Sequence, residues 1–246
     1  MNDSSKSLLL PAIVLAAGLT AGGWFVGRGF VAARSADRVV TVKGIAEQEA
    51  QADIAIWPLR ISAASDDLGQ AQARLEQSLK EINAFLRRQG LDPAVATLQA
   101  FSVSDARTNQ YGNGPQAGSR FVINQTLVLR STEPAKVRAA SEKVGELVSA
   151  GVVLSSGGEY GASGPTYVFT GLNQLKPTMI AAATARAREA AEQFARDSGS
   201  RLAGIRRANQ GVFEILPRDQ APGMNQESQI DKTVRVVATV EYGLVD

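Results

Sequence analysis

The chain contains no histidine and no cysteine, and these two absences exclude several classes of chemistry. Without histidine there can be no Ser-His-Asp triad, no imidazole general base and no histidine-ligated zinc site. Without cysteine there can be no disulfide, no thiolate nucleophile and no cysteine-ligated iron–sulfur cluster. Any catalysis would have to rely on Asp, Glu, Lys, Tyr, Ser or Thr.

An excess of charge of one sign is also nearly absent. The 246 residues carry 26 basic and 24 acidic side chains, which gives a net charge of +2. The three basic residues and one acidic residue of the segment 1–34 account for that excess, so the segment 35–246 is electrically neutral. Because a neutral domain lacks the basic footprint of a nucleic-acid-binding protein, we predict no nucleic-acid partner.

One long uncharged apolar run lies near the start of the chain. Residues 8–27 read LLLPAIVLAAGLTAGGWFVG and are flanked by Lys6 and Arg28. A helix of this run would be about 30 Å long, close to the thickness of one hydrocarbon core. Since the apolar region of a cleaved signal peptide is shorter, the run favours an uncleaved membrane anchor over residues 1–34.

The predicted span contains two glycine pairs suited to helix packing and a tryptophan suited to the membrane interface. Two Gly-x-x-x-Gly pairs match the spacing of closely packed membrane helices, although such matches also arise by chance in a glycine-rich segment. Trp24 lies toward the end of the run, where interfacial aromatics are common. The membrane-spanning candidates are therefore Leu8, Gly18, Gly22, Gly23, Trp24 and Gly27.

Beyond residue 35, strand-like and helix-like patterns alternate in a regular order. Apolar spacings of three and four predict helices at about 66–89, 132–149 and 173–198, each preceded by two strand-like segments, and a closing strand pair follows. We therefore predict an α+β fold of repeated ββα units with a closing ββ, the helices packed on a mixed or antiparallel sheet after one transmembrane helix. The predicted strands are about 39–46, 53–63, 96–106, 120–130, 152–155, 166–170, 205–216 and 233–242.

Three local features refine this prediction. Pro58 cannot donate a hydrogen bond to a neighbouring strand, which indicates a bulge or an edge at that position. Ser65 or Asp66 is suited to cap the first of these helices, and Gly90 to end it. If all the strands shared one sheet, the polar loops 107–119 and 217–231 would lie at the same end.

No motif for catalysis or for a cofactor is present. The chain has no Ser-x-x-Lys, Tyr-x-x-x-Lys, P-loop or EF-hand pattern. The pair Asp66-Asp67 stands at a predicted helix start, where carboxylates favour the helix dipole. A carboxylate hydrolase would need two acids about 5–9 Å apart in a cleft, an arrangement that the sequence alone does not reveal. We therefore predict a non-enzyme with no catalytic residues, no cofactor and no metal.

Long polar loops and isolated large side chains provide candidates for contacts between subunits. Trp57 lies on a predicted strand and suits either core packing or an interface. Two tyrosines and a methionine lie in the polar loops, where they would be accessible to a second copy. The candidates for oligomer contacts are Trp57, Tyr111, Tyr160 and Met224.

From about Val39 to Tyr242 the chain resembles the SIMPL-domain proteins of the bacterial envelope. The resemblance is carried in order by VVTVKGIAEQEAQADIAIWPLRIS, TLQAFSVS, RFVINQTLVLR and ARAREAAEQFARDSGSRLAG. Two positions depart from the family pattern. Ala52-Asp53 stands where Pro-Asp is usual, and Arg120-Phe121-Val122 replaces an aromatic-Arg-Ala order.

The resemblance implies a location, an assembly and an absence of known chemistry. It implies a protein of the bacterial inner membrane with one span and a periplasmic SIMPL-like domain over 35–246, or, if cleaved, a soluble periplasmic one. It also implies a homo-oligomer, ring- or channel-like, linked to envelope organisation or oxidative-stress defence, and it supplies no catalytic residues. The alternatives are a binding module for a peptide, lipid or cell-wall ligand, and a carboxylate-based cell-wall hydrolase.

Overall fold

The structure of the chain is a computed structural model that describes residues 3–36, 38–107, 119–155, 164–222 and 224–245, with the side chains of residues 13–29 in its first helix. Its contacts divide the chain into two compact units, where the sequence predicts one domain over 35–246. Unit 1 comprises Met1–Ala46, Thr178–Phe213 and Val236–Asp246, and unit 2 comprises Glu47–Pro177 and Glu214–Arg235.

The helix predicted over the first apolar run is present as α1 (Asp3–Ala36). Among the residues that the structure describes, however, no helix is both long and apolar enough to cross a membrane.

One four-stranded antiparallel sheet with three helices forms most of unit 2. Its strand order is β3-β4-β2-β5, and β2 pairs with β4 without a break in register from Ala55 to Ser65. The elements are β2 (Ile54–Ser65), α2 (Leu68–Arg88), β3 (Ala96–Asp105), β4 (Phe121–Ser131), α3 (Pro134–Glu142), α4 (Gly145–Ser149) and β5 (Thr166–Val168).

Helix α2 forms because its sequence supplies a cap, an apolar stripe and a stop. The Asp67 carboxylate accepts a hydrogen bond from the Gln70 N–H at 2.8 Å, so the cap is Asp67 and not Ser65 or Asp66 as predicted. Gly90 follows the helix with φ +73°, a left-handed conformation that glycine adopts without steric cost. The buried stripe is Ala71, Leu75, Ile82, Phe85 and Leu86.

This stripe packs on the core face of the sheet, where two aromatic rings, one from each element, are in contact. The rings of Trp57 on β2 and Phe85 on α2 lie edge to face with their centroids 6.5 Å apart. Trp57 is only 2% exposed and Phe85 is fully buried. Edge-to-face aromatic packing stabilises beyond the area that it buries, so this pair is a central element of the unit 2 core.

The bulge predicted at Pro58 is absent, whereas the predicted edge exists locally, since no described residue pairs with β2 beside Pro58 on one of its two sides. On one side β2 pairs with β4; on the other it pairs with β5 at residues 54–56 and with Leu154 at Ile61. Because backbone groups in antiparallel strands point alternately to either side, the Pro58 nitrogen points the same way as the Ser62 N–H, which binds Val153. It therefore falls between the two partner segments, where no donor is needed.

A second four-stranded sheet has the order β1-β8-β6, with β7 also paired to β8. The register of β6 and β7 with β8 is antiparallel. The strands therefore form two sheets and not the single one considered above, so the inference about which loops share an end does not hold. The elements are β1 (Val39–Gln51), α5 (Leu172–Asp197), β6 (Arg201–Gln210), β7 (Glu214–Pro217) and β8 (Asp231–Val245).

The part of α5 that lies in unit 1 buries mainly small residues. Alanines recur at every fourth position of α5 and all are buried, which places one narrow face of the helix against the sheet. Gly44 on β1 lies directly beneath this face, since a Cβ there would lie 2.5 Å from the Ala187 nitrogen and would overlap the Ala183 carbonyl oxygen. The buried alanines are Ala183, Ala187, Ala191 and Ala195.

Two further elements differ from the sequence prediction. The helix predicted over 132–149 is divided into α3 and α4, and the strand predicted at 152–155 is a single bridge between Leu154 and Ile61. Two strands therefore precede α2 and two precede α3, whereas among the described residues one strand, β5, lies between α4 and α5.

Candidate interaction surface

Strand β3 is the outermost strand of the unit 2 sheet. It pairs with β4 on one side, and its eight residues from Thr97 to Ser104 are all exposed. The neighbouring strand β4 alternates between buried and half-buried positions, as expected for a strand with one face on a core. In the part of the chain that the structure describes, the outer edge of β3 carries no partner strand.

Three apolar side chains stand on this exposed strand. Leu98 is 55% exposed, Phe101 57% and Val103 47%. Leu98 lies opposite Leu127, and Val103 lies opposite Ile123, both of which are buried on β4. Among the described residues, no element covers the core face of the sheet where it continues onto β3. We call Leu98, Phe101 and Val103 the β3 edge surface.

A bulge shapes this surface at its centre. The register with β4 shifts between Gln99 and Ser102, and Ala100 adopts φ +50°. The Gln125 side chain, buried on β4, donates a hydrogen bond to the Gln99 carbonyl at 3.0 Å. This hydrogen bond connects the start of the bulge to β4. The backbone that leads into Phe101 is therefore held in a defined conformation.

The single charge on β3 is neutralised within the sheet. Arg120 Nη2 lies 3.1 Å from Asp105 Oδ2, and its guanidinium also stacks on the Phe121 ring at 4.5 Å. The hydrogen bond from Arg120, followed by one from the Arg107 backbone, lowers the pKa of Asp105 below its ordinary value. The β3 edge surface is therefore apolar and without net charge.

The comparison with protein families identifies the type of domain. The family model SIMPL, described as a protein of unknown function (DUF541), matches residues 40–242. The chain belongs to the SIMPL family. No curated protein matches it. A solved structure, the regulatory subunit of aspartate kinase from Thermus flavus, aligns over 82% of this chain and 89% of its own at 14% identity, but its TM-score of 0.16 does not establish a common fold.

None of the residues predicted for subunit contacts belongs to the β3 edge surface of this SIMPL domain. Trp57 lies in the core, so its ring offers almost no surface to a neighbouring subunit. Met224 is 53% exposed, and its sulfur accepts a weak hydrogen bond from Gln229 at 3.6 Å. Tyr111 and Tyr160 lie outside the described residues.

The predicted membrane-spanning residues lie on α1. A Cβ added at Gly18, Gly22, Gly23 or Gly27 would meet no atom within 4 Å, so these positions are open. Trp24 packs against Phe25 with 5.8 Å between ring centroids, and the Arg28 guanidinium lies 4.7 Å above the indole. The backbone of Leu8 is helical, whereas its side chain lies outside the described part.

The two acidic side chains before α2 stabilise the fold. Asp67 caps α2, and Asp66 accepts a hydrogen bond from the Arg120 N–H at 3.0 Å. No group of three or more Asp or Glu residues that could hold a metal ion occurs among the described residues. The matched family indicates no enzymatic class.

Sequence reasoning placed β3 correctly as a strand but did not single it out as a surface. A usable signal was present, since TLQAFSVS contains apolar residues without a charge or a proline to protect an edge. What the sequence did not provide was the strand order, which alone decides whether such a strand lies inside the sheet or at its edge.

Proposed function

We propose that this protein is a non-enzymatic protein of the bacterial envelope that assembles into a homo-oligomer through the β3 edge surface. The observation that carries the proposal is an exposed, uncharged apolar surface that continues the core face of a sheet. The form that the family resemblance implies is a ring or channel, with a role in envelope organisation or stress defence.

The contrast with the other sheet supports β3 as the interface. Strand β6, an outer strand of the second sheet, carries exposed arginines at Arg206 and Arg207. Charged side chains on an edge strand discourage association with another chain. Strand β3 has no such protection, since its single carboxylate is paired with Arg120.

A second copy is the occupant that best fits this surface. An apolar surface without net charge suits an identical neighbour, because two copies then meet without like-charge repulsion. A copy seated on Leu98 and Val103 would extend the covered core face beyond β4. Phe101 would supply an aromatic contact at the centre of the interface.

The location in the envelope is part of the same proposal. It is supported by the family resemblance and by the apolar side chains of α1, since Leu19, Trp24 and Phe25 are all at least 60% exposed. Side chains of this kind are stabilised by apolar surroundings. We propose that the segment 1–34 associates with the membrane and that the SIMPL domain lies in the periplasm.

The test is the mass of the full chain in mild detergent, measured by light scattering after size-exclusion chromatography. We expect the natural chain to form one discrete homo-oligomer. Phe101→Lys and Leu98→Lys should each shift the mass toward smaller species, because a buried lysine in an apolar contact must be desolvated. The free energy of unfolding should change by no more than about 0.5 kcal/mol, since both positions are exposed within one chain.

A matched substitution on the other edge separates assembly from general effects of charge. Ile205→Lys on β6 starts from a side chain that is 46% exposed, and it should leave the mass unchanged. The proposal is wrong if the natural chain is monomeric, or if the Phe101 and Leu98 variants keep the natural mass.

A further inference from the structure

A cleft of about 560 Å³ opens in unit 2 at the end of the sheet. Its floor is the end of β2 from Ser62 to Ala64, one wall is the face of α2 from Arg74 to Glu81, and the opposite wall is the segment 150–153. This volume lies within the range of small-molecule and peptide sites. None of its lining residues belongs to the β3 edge surface, so the cleft is a separate feature.

The α2 wall presents two opposite charges to the cleft. Arg74, Gln77, Ser78 and Glu81 recur at helical spacings of three and four, so they share one face of the helix. Arg74 Nη1 donates a hydrogen bond to the Ala64 carbonyl at 2.6 Å, which fixes the guanidinium at the end of β2. The Glu81 carboxylate accepts a hydrogen bond from Gln77 at 2.8 Å and is held two turns away.

Among the described residues, these two charges form no ion pair with each other or with another charged group. Within the part of the chain that the structure describes, neither Arg74 nor Glu81 forms a salt bridge. Arg74 uses one N–H for the Ala64 carbonyl, and a guanidinium has five. Its remaining donors can therefore bind a carboxylate, and the Glu81 carboxylate can bind an ammonium group.

The spacing of the charges defines the length of a ligand. Seven residues along a helix correspond to about 10.5 Å. An extended peptide advances about 3.3–3.6 Å per residue, so about three residues span the distance. We propose that this cleft binds a short, extended peptide with free ends, its terminal carboxylate on Arg74 and its terminal amine on Glu81. This inference does not depend on assembly through β3.

The remaining walls suit a peptide with small side chains. Ala63 and Ala64 line the floor, and Ala150, Gly151 and Val153 line the opposite wall. Ser78 is half-buried beside the two charged positions, but its hydroxyl already donates to the Arg74 carbonyl at 2.9 Å. The uncharged polar residues Ser62, Gln77 and Ser119 also line the cleft, so the two charges are its only ionic groups for recognition among the described residues.

The experiment is calorimetric titration of the full chain in mild detergent with tri-alanine, N-acetyl-tri-alanine and tri-alanine amide. We expect free tri-alanine to bind at millimolar concentration or below. Each capped peptide should bind about tenfold more weakly, because it lacks one charge-assisted contact. No binding of tri-alanine at millimolar concentration, or equal binding of all three peptides, would overturn the proposal.

Two variants assign each end of the peptide to one side chain. In Arg74→Met the free tripeptide and its amide should bind equally, and in Glu81→Gln the free and acetylated peptides should bind equally. Arg88→Met, on the same helix but outside the cleft, should retain the natural preferences. If Arg74→Met and Glu81→Gln also retain them, the proposal is wrong, whatever the oligomeric mass.

Discussion

Unit 1 and unit 2 both pack a helix against a sheet, but with side chains of very different size. In unit 1 the buried face of α5 consists of Met179 and then a row of four alanines, two of which lie against the backbone at Gly44. In unit 2 the buried face of α2 carries Phe85 and three large aliphatic residues, and it packs on Trp57. Close packing of backbones leaves no room for added atoms, whereas packing of large side chains is sensitive to removed ones.

The edges of the two sheets differ in a related way. Strand β6 carries two exposed arginines, whereas β3 exposes Leu98, Phe101 and Val103 around a neutralised charge. Strand β6 also exposes one apolar side chain, Ile205, but two exposed arginines follow it, so the two edges differ in the charge beside the apolar surface. This difference distinguishes a surface suited to a partner from one suited to water.

Loss of the central aromatic side chain should produce the largest effect in unit 2. Trp57→Ala removes a side chain that is 2% exposed, and we expect the free energy of unfolding to fall by about 3–5 kcal/mol. Denaturant unfolding measures this directly. Val148→Ala, at a position that is 60% exposed on α4, is the matched control and should stay within about 0.5 kcal/mol of the natural chain.

Addition of one methyl group should produce the corresponding effect in unit 1. Gly44→Ala places a Cβ against the backbone of Ala183 and Ala187, and we expect a loss of about 3 kcal/mol because α5 must move away. Gly204→Ala on β6 adds the same group where no atom lies within 4 Å, and should change stability little. Equal effects of the two substitutions would contradict the close approach of α5 and β1.

The sequence predicted these cores unequally, for physical reasons. The apolar residues from Leu75 to Leu86 follow at steps of four, three and four, with Leu79 and Ile82 between them. This spacing indicated α2 and its buried face, because large apolar residues give a strong periodic signal. The alanine row of α5 predicted a helix. Nothing in the sequence distinguished Gly44 from an ordinary strand residue, because the close approach of α5 to β1 depends on tertiary packing. The division into two sheets and the edge position of β3 depend on long-range pairing, which local patterns do not encode.

Strand β8 carries a buried polar group in each unit, and the two differ in their partners. In unit 2 the Lys232 ammonium is 1% exposed and donates to the carbonyls of Gln226 and Gln229, the latter at 2.8 Å. In unit 1 the Tyr242 hydroxyl is buried and finds no partner among the described residues. A satisfied buried group stabilises the fold, whereas an unsatisfied one costs free energy.

Substitution of these two groups should therefore act in opposite directions. We expect Lys232→Met to lower the free energy of unfolding by about 1–3 kcal/mol, because two carbonyls of the turn at 226–229 lose their donor. Tyr242→Phe should be neutral or stabilise by up to about 1 kcal/mol, since it removes a hydroxyl without a partner. Denaturant unfolding at neutral pH compares the two variants, and a loss of stability in Tyr242→Phe would contradict an unsatisfied hydroxyl.

The pH dependence of the free energy of unfolding tests the burial of Lys232 separately from the amount of stability lost in Lys232→Met. Burial lowers the pKa of Lys232 below its ordinary value of 10.5. Between the lowered pKa and 10.5 the unfolded chain holds a proton that the folded chain has released, so stability should rise with pH in this window. The neutral amine still has two N–H groups for the two carbonyls, so the rise involves no lost contact. Lys232→Met should remove this rise, whereas Tyr242→Phe should retain it; the same alkaline slope in both variants would assign it to other groups.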